Sequence, residues 1–139
     1  MRVSSRADYG VRALFDLAMH YGQGPVQSRD IAGRQSVPEA YLHQVLGALS
    51  RAGLVRSTRG PLGGHELVQD PAKITLWDII MLLDGPDRRQ NQDAIRADDP
   101  VHETWRELQD RIETYLSDIT LERLVEEQNA KLPPVNYSI

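Results

Sequence analysis

The stretch from Pro38 to Val68 constrains the fold most: "PEAYLHQVLGALSRAG", then "LVRST", "RGPLGG" and "HELV". Leu42, Val45, Leu46 and Leu49 recur at helical spacing and define one buried helix face. Pro38 belongs in the first turn, where a missing N–H costs little, and Gly53 is a natural stop. The two runs that follow have strand character, and the Gly/Pro-rich piece between them is a tight hairpin tip.

The flanks are helical. Residues 6–21 place Val11, Leu14, Phe15 and Ala18 on one face, and Gly22 and Gly24 end the helix. "PVQ" is a short extended piece. Ser28 is expected to cap "RDIAGRQ", a two-turn helix with Ile31 and Ala32 inward. Downstream, Thr75 and Asp78 form a capping-box pair that opens "LWDIIMLLDG", with Leu76, Ile79, Ile80 and Leu83 on one face. After an acid-rich polar stretch, Val101, Trp105, Leu108, Ile112, Tyr115 and Ile119 step by alternating fours and threes. That is a heptad-like seam on a helix of roughly 28 Å. Thr120 caps "LERLVEEQ", and Pro133 with Pro134 break it.

This order is the plan of a winged helix-turn-helix. The expected fold is mainly α with a small β-hairpin. A winged domain spans 1–84, a polar connecting loop 85–100, a dimerisation helix and short terminal helix 101–130, and a free tail 131–139. A chain of 139 residues suits one domain with an appended helix. No apolar run approaches the eighteen or so residues of a membrane span, so a cytoplasmic location is expected.

Cysteine is absent, which excludes disulfides, thiolate zinc sites and cysteine-held iron–sulfur clusters. The net charge of −4 conceals an asymmetry. Residues 1–73 hold nine Lys/Arg against six Asp/Glu, whereas residues 74–139 hold seven against fourteen. A basic half joined to an acidic half fits a nucleic-acid-facing module with a solvated partner region.

In such a fold the second helix of the pair enters the major groove of DNA. Its inward face leaves Glu39, Ala40, Tyr41, His43, Gln44 and Gly47 outward. Gln44 matches the N6/N7 edge of adenine, and the Tyr41 hydroxyl can donate to phosphate. A solvated helix face would look the same; the basic hairpin that follows decides for DNA. There Arg56 and Arg59 are accompanied by Gly60, Gly63 and Gly64, which permit close approach of the backbone. Arg59 at the tip suits the focused negative potential of a narrow minor groove. Arg2, Arg51 and the helix start at Ser28 are expected to hold phosphates. No Gly-Lys-Ser/Thr follows the glycines, and the histidines at 20, 43, 65 and 102 form no His-Glu-x-x-His pattern. An enzyme is not expected.

The segments "SSRADYGVRALFDLA", "DIAGRQSVPEAYLHQVLGALSRAGLVRSTRGPLGGHEL", "ITLWDII" and "WRELQDRIETYLSDITLERLV" resemble the IscR/NsrR/CymR family of bacterial transcription regulators, over roughly residues 1–128. The resemblance implies a homodimer with one winged helix per subunit and a long crossing helix at the interface. It puts Arg59 on the wing arginine, and Tyr41 and Gln44 on recognition-helix contacts. His43 stands where glutamate is common, and Leu62 and His65 replace the usual glycine and tyrosine of the wing.

Cluster-binding members carry three cysteines in the polar loop; here the same frame reads Asp87, Asp93, Asp99 and His102. Carboxylates and imidazole suit Fe(II) or Mn(II) but not a thiolate-bound cluster. A metal-responsive or IscR-like regulator of iron and redox genes is therefore the alternative, although acidic residues recur in such loops by composition alone. A cysteine-free loop also resembles the CymR branch, which represses cysteine and sulfur metabolism genes. Regulators of that branch end in isoleucine and signal through cysteine synthase. The expectation is thus no bound cofactor, a double-stranded DNA operator, and cysteine synthase as a partner contacted by Tyr137 and Ile139.

Overall fold

The computed structural model describes residues 3–85 and 99–132. Expectations placed on Arg2, Asp87, Asp93, Tyr137 and Ile139 concern residues outside that range. Helix α1 (Ser5–Met19) is capped by Ser4, whose hydroxyl accepts the Ala7 N–H at 3.0 Å. Then come α2 (Ser28–Gln35), α3 (Glu39–Arg51), β1 (Val55–Thr58), β2 (Gly64–Leu67), a 3-10 turn (Pro71–Lys73) and α4 (Leu76–Asp84). The chain continues in α5 (Pro100–Ser117) and α6 (Leu121–Lys131).

Helix α1 is the centre of the molecule, with α2, α3, α4 and α6 all packed on it. That surrounding explains a buried face wider than its sequence pattern: Ala7, Gly10, Ala13 and Leu17 are buried with Leu14 and Ala18, while Val11 and Phe15 are half-buried. Gly10 is where α4 comes closest, since a Cβ there would collide with Leu83. Leu14, Leu17, Ile31, Leu42, Leu46 and Leu49 form the heart of the core. Each such side chain contributes on the order of 1.5–3 kcal/mol by burial.

The predicted stripe of α3 is buried as read, and the Thr75/Asp78 capping box is present in both directions. Between α2 and α3, Ser36 takes a left-handed conformation (φ 55°) and Val37 plugs into the core, which makes the turn short. Strands β1 and β2 pair antiparallel, with Arg56 opposite Glu66 and Ser57 opposite His65. The "PVQ" piece joins them: Val26 exchanges backbone hydrogen bonds with His65, 2.9 Å one way and 2.8 Å the other.

Two expectations are corrected. Gln27, not Ser28, is the cap residue of α2; Ser28 is its first helical residue, and no side chain caps that end. Ile119 is not on the seam of the long helix. Helix α5 stops at Ser117, and Ile119 turns inward and is buried. Its carbonyl accepts the Leu76 N–H, and Leu121 N–H returns to the Ile74 carbonyl, bridging the start of α4 to the start of α6. Helix α6 also joins the core: Leu121 lies in it and Val125 packs against it. Thr120 does cap α6, accepting the Arg123 N–H at 3.1 Å.

Candidate nucleic-acid interface

The helix pair α2–α3 is fixed to α1 by an ion pair on a buried carboxylate that sequence reasoning missed. Asp16 is 2 % exposed. Its carboxylate accepts Nε and Nη2 of Arg34 at 2.9 and 2.8 Å, and Nε2 of Gln35 at 3.2 Å. The bidentate fork sets orientation as well as attraction. Its hydrogen bonds to Asp16 hold Arg34 protonated beyond its already high ordinary range, outweighing partial burial.

On α3, Glu39, His43 and Gln44 face outward and are exposed. Tyr41 does not stand free. Its ring is half-buried and meets Tyr9 of α1 edge to face, with centroids 5.0 Å apart. Glu39 accepts a hydrogen bond from Ser28 of α2 at 3.4 Å and lies 3.7 Å from His43 Nε2 one turn on. Ser28 thereby links the start of α2 to the start of α3. Arg51 is exposed at the C-terminal end of α3, and its guanidinium lies over Gly47.

The wing tip is compact. Gly60 has φ 104°, and its carbonyl accepts the Gly63 N–H at 2.9 Å. Gly63 is buried against the Thr58 carbonyl, where any Cβ would collide. Gly64, at φ 146°, lets Val26 approach; a Cβ would lie 2.6 Å from its carbonyl oxygen. The tip is tied back to α2 by Gln27, whose amide donates to the Pro61 carbonyl at 3.3 Å. Arg59 projects from this tip and is exposed. Arg56 differs, because it lies 3.7 Å from Glu66 across the hairpin and its charge is partly compensated. Gln27 and Arg29 were not singled out from sequence, and His65 was noted only as a departure in the wing, since their meeting depends on how the wing folds back. They line, with Glu39, Gly60 and Gly64, an open groove of about 310 Å³ between α2, α3 and the wing.

Helix α5 presents a different surface. Val101, Trp105, Leu108 and Tyr115 are all exposed, and Ile112 is half-buried. Four large apolar side chains along one face of a soluble helix mark an interaction surface. Asp99 caps this helix by accepting the Val101 N–H at 2.9 Å. His102 is buried, with Arg106 Nη2 3.1 Å from its Nε2. Among the described residues no group of three or more His, Asp or Glu is placed to hold a metal. Also among them, no helix is long and apolar enough to cross a membrane.

A short-turn helix pair, an exposed polar face on its second helix and a glycine-tipped arginine wing beside it define a winged helix-turn-helix DNA-binding protein. The family model for Rrf2, described as iron-dependent transcriptional regulators, matches residues 3–127. The chain belongs to the Rrf2 family and is a DNA-binding transcriptional regulator. It is 39 % identical over 133 residues to the HTH-type transcriptional regulator IscR of Photorhabdus laumondii, covering 92 % of this chain and 81 % of that protein. The corresponding IscR of Serratia proteamaculans is 37 % identical, with 93 % and 82 % covered. Among solved structures, T. potens IscR superposes with a TM-score of 0.81 at 36 % identity, covering 96 % of this chain and 93 % of that one. CymR, the global cysteine regulator of B. subtilis, gives 0.79 at 32 %, with 91 % and 98 % covered. A thiolate-bound cluster does not fit this chain, which has no cysteine to hold one.

Proposed function

We propose that this regulator represses transcription as a homodimer, each copy setting α3 in the major groove of an operator and the Arg59 wing in the adjacent minor groove. The observation that carries this reading is the locking of wing and helix pair into one face. Gln27 holds the tip at Pro61, and Val26 pairs with His65, so helix and wing meet the duplex as a unit. Gln44, Arg51, Arg59 and Gly60 are the contacts expected on that face. The exposed seam of α5, from Val101 to Tyr115, is the surface through which two copies join.

As to the genes governed, an IscR-like assignment to iron- and redox-linked genes has the better support, from relatives at 37–39 % identity over most of the chain. The signal then reaches the protein by a route other than a cysteine-held cluster. A second reading, control of cysteine metabolism with cysteine synthase bound through Tyr137 and Ile139, is supported by the likeness to B. subtilis CymR and by the cysteine-free sequence.

Binding of the purified protein to the region upstream of its own gene, against random duplex of equal length, tests the first claim. Equal affinity for both would sink it. Deletion of Ile139 with co-elution on cysteine synthase separates the two assignments. Association that depends on Ile139 favours the cysteine reading, and no association favours the IscR-like one.

A further inference from the structure

One histidine side chain lines the groove where the wing joins the helix pair, and its imidazole takes no part in the contacts just described. His65 on β2 lies opposite Ser57, with Nδ1 2.8 Å from the serine hydroxyl, and its backbone is doubly bonded to Val26. Its half-buried ring lines the groove between α2, α3 and the wing. Glu39 lines the same groove and leans on His43 at 3.7 Å. The wing imidazole therefore shares its groove with a carboxylate that leans on His43 of the recognition helix, on the face offered to DNA.

We propose that proton uptake at His65, inside this groove, strengthens DNA binding, so that affinity for the duplex rises as the solution becomes mildly acidic. The inference rests on the DNA-binding reading and goes beyond it.

The reason is charge. In the free protein, burial holds the His65 imidazole below the usual histidine range, and nearby His43 pushes the same way. The surrounding groups do not reverse this. Arg29 of α2 lines the groove, Arg56 stands on the paired strand, and His20 of α1 lies with His65 around a small cleft behind the sheet. The two nearby carboxylates have other partners: Glu39 takes Ser28 and His43, and Glu66 faces Arg56. A duplex brings phosphates to this face, and phosphates favour the imidazolium. Binding then takes up a proton, since His65 titrates higher in the complex than in the free protein. Between the two values affinity rises as pH falls. Above the higher value, and again below the lower one, it is flat.

The test is fluorescence anisotropy at fixed ionic strength with a labelled duplex from the region upstream of the gene, from about pH 8 to about pH 5.5. The intact protein should tighten by roughly threefold to tenfold per pH unit in the steep range. His65→Gln, which keeps a polar side chain but cannot titrate, should lose half or more of that slope. A second readout is the histidine ring-proton titration by NMR, with His65 assigned from the variant. Its midpoint should move upward when duplex is added. An unchanged slope in the variant, or an unmoved His65 midpoint, overturns the inference while leaving DNA binding intact. No binding by the intact protein at any pH overturns the DNA reading and the inference with it.

Discussion

Asp16 of α1 receives both arms of Arg34 of α2, at 2.8 and 2.9 Å, and so ties the first helix of the DNA-binding pair to the centre of the molecule. The carboxylate is buried, whereas the Arg34 side chain is 44 % exposed. Breaking a fully buried pair costs about 3–5 kcal/mol, but solvent at Arg34 screens this one. Asp16→Ala is therefore expected to destabilise the fold by roughly 1–3 kcal/mol, part of it from the Gln35 amide losing its acceptor. Urea unfolding followed by circular dichroism measures this, and a loss within a few tenths would refute the tie.

Gly63 is closed in by the Thr58 carbonyl, with no flexible side chain to move aside. Gly63→Ala should distort the wing at a cost of about 1–3 kcal/mol of strain and weaken DNA binding with it. By contrast, Gly22→Ala, at positive φ but with open space around it, should strain the backbone yet leave DNA affinity unchanged. Comparing the two by thermal melts and anisotropy checks the claim.

Arg59 is exposed at the tip and, among the described residues, forms no ion pair, unlike Arg56. Arg59→Ala should weaken operator binding and lower the slope of log affinity against log salt by about 0.9, the share of one phosphate no longer neutralised. Titrations at several salt concentrations would show an unaltered slope if the wing stays off the duplex.

Trp105 is 58 % exposed near the middle of the apolar face of α5. Trp105→Glu puts a charge where the proposed seam excludes water. The variant should sediment as a monomer at concentrations at which the unaltered protein is a dimer. Operator affinity should fall at least tenfold, because a monomer engages a single half-site. A variant that still sediments as a dimer would move the interface elsewhere.

Fold stability should respond to pH at His65 in the sense opposite to DNA affinity. Its folded-state pKa is depressed below the ordinary value of 6.5. The unfolded chain therefore binds the proton more readily, and the contribution of this group to stability is complete above about 6.5. That contribution is lost as pH falls from there through the folded-state value. Melting temperatures between about pH 7.5 and 5 should decline less in His65→Gln than in the unaltered protein. Parallel declines would contradict the burial assigned to this ring.

Much of this architecture was legible because local signals and packing agree. The α3 stripe, the Thr75/Asp78 box and the glycine tip each encode one element within a few residues. Some misreadings are local, and the others concern contacts made across the chain. Ile119 continues the fours and threes of the seam, but Asp118 and Thr120 end the helix and turn it inward. Thr120 was recognised as a cap, and a cap at 120 already implies that a preceding helix has stopped. Asp16 drew no notice in the sequence, because its partner Arg34 lies beyond a loop and on another helix. Tyr41 counts as outward by spacing alone, and only the neighbouring Tyr9 ring shows why it is half-buried.

The return of the chain from α5 to the core has a mechanical corollary. Only Asp118, Ile119 and Thr120 separate the end of the long helix from Leu121, and the middle one is itself anchored to α4. Such a tether has no slack. In the proposed dimer, a sliding or rotation of one α5 against its counterpart would be delivered to α6 and from there to α1, the same shaft on which Asp16 seats the reading head.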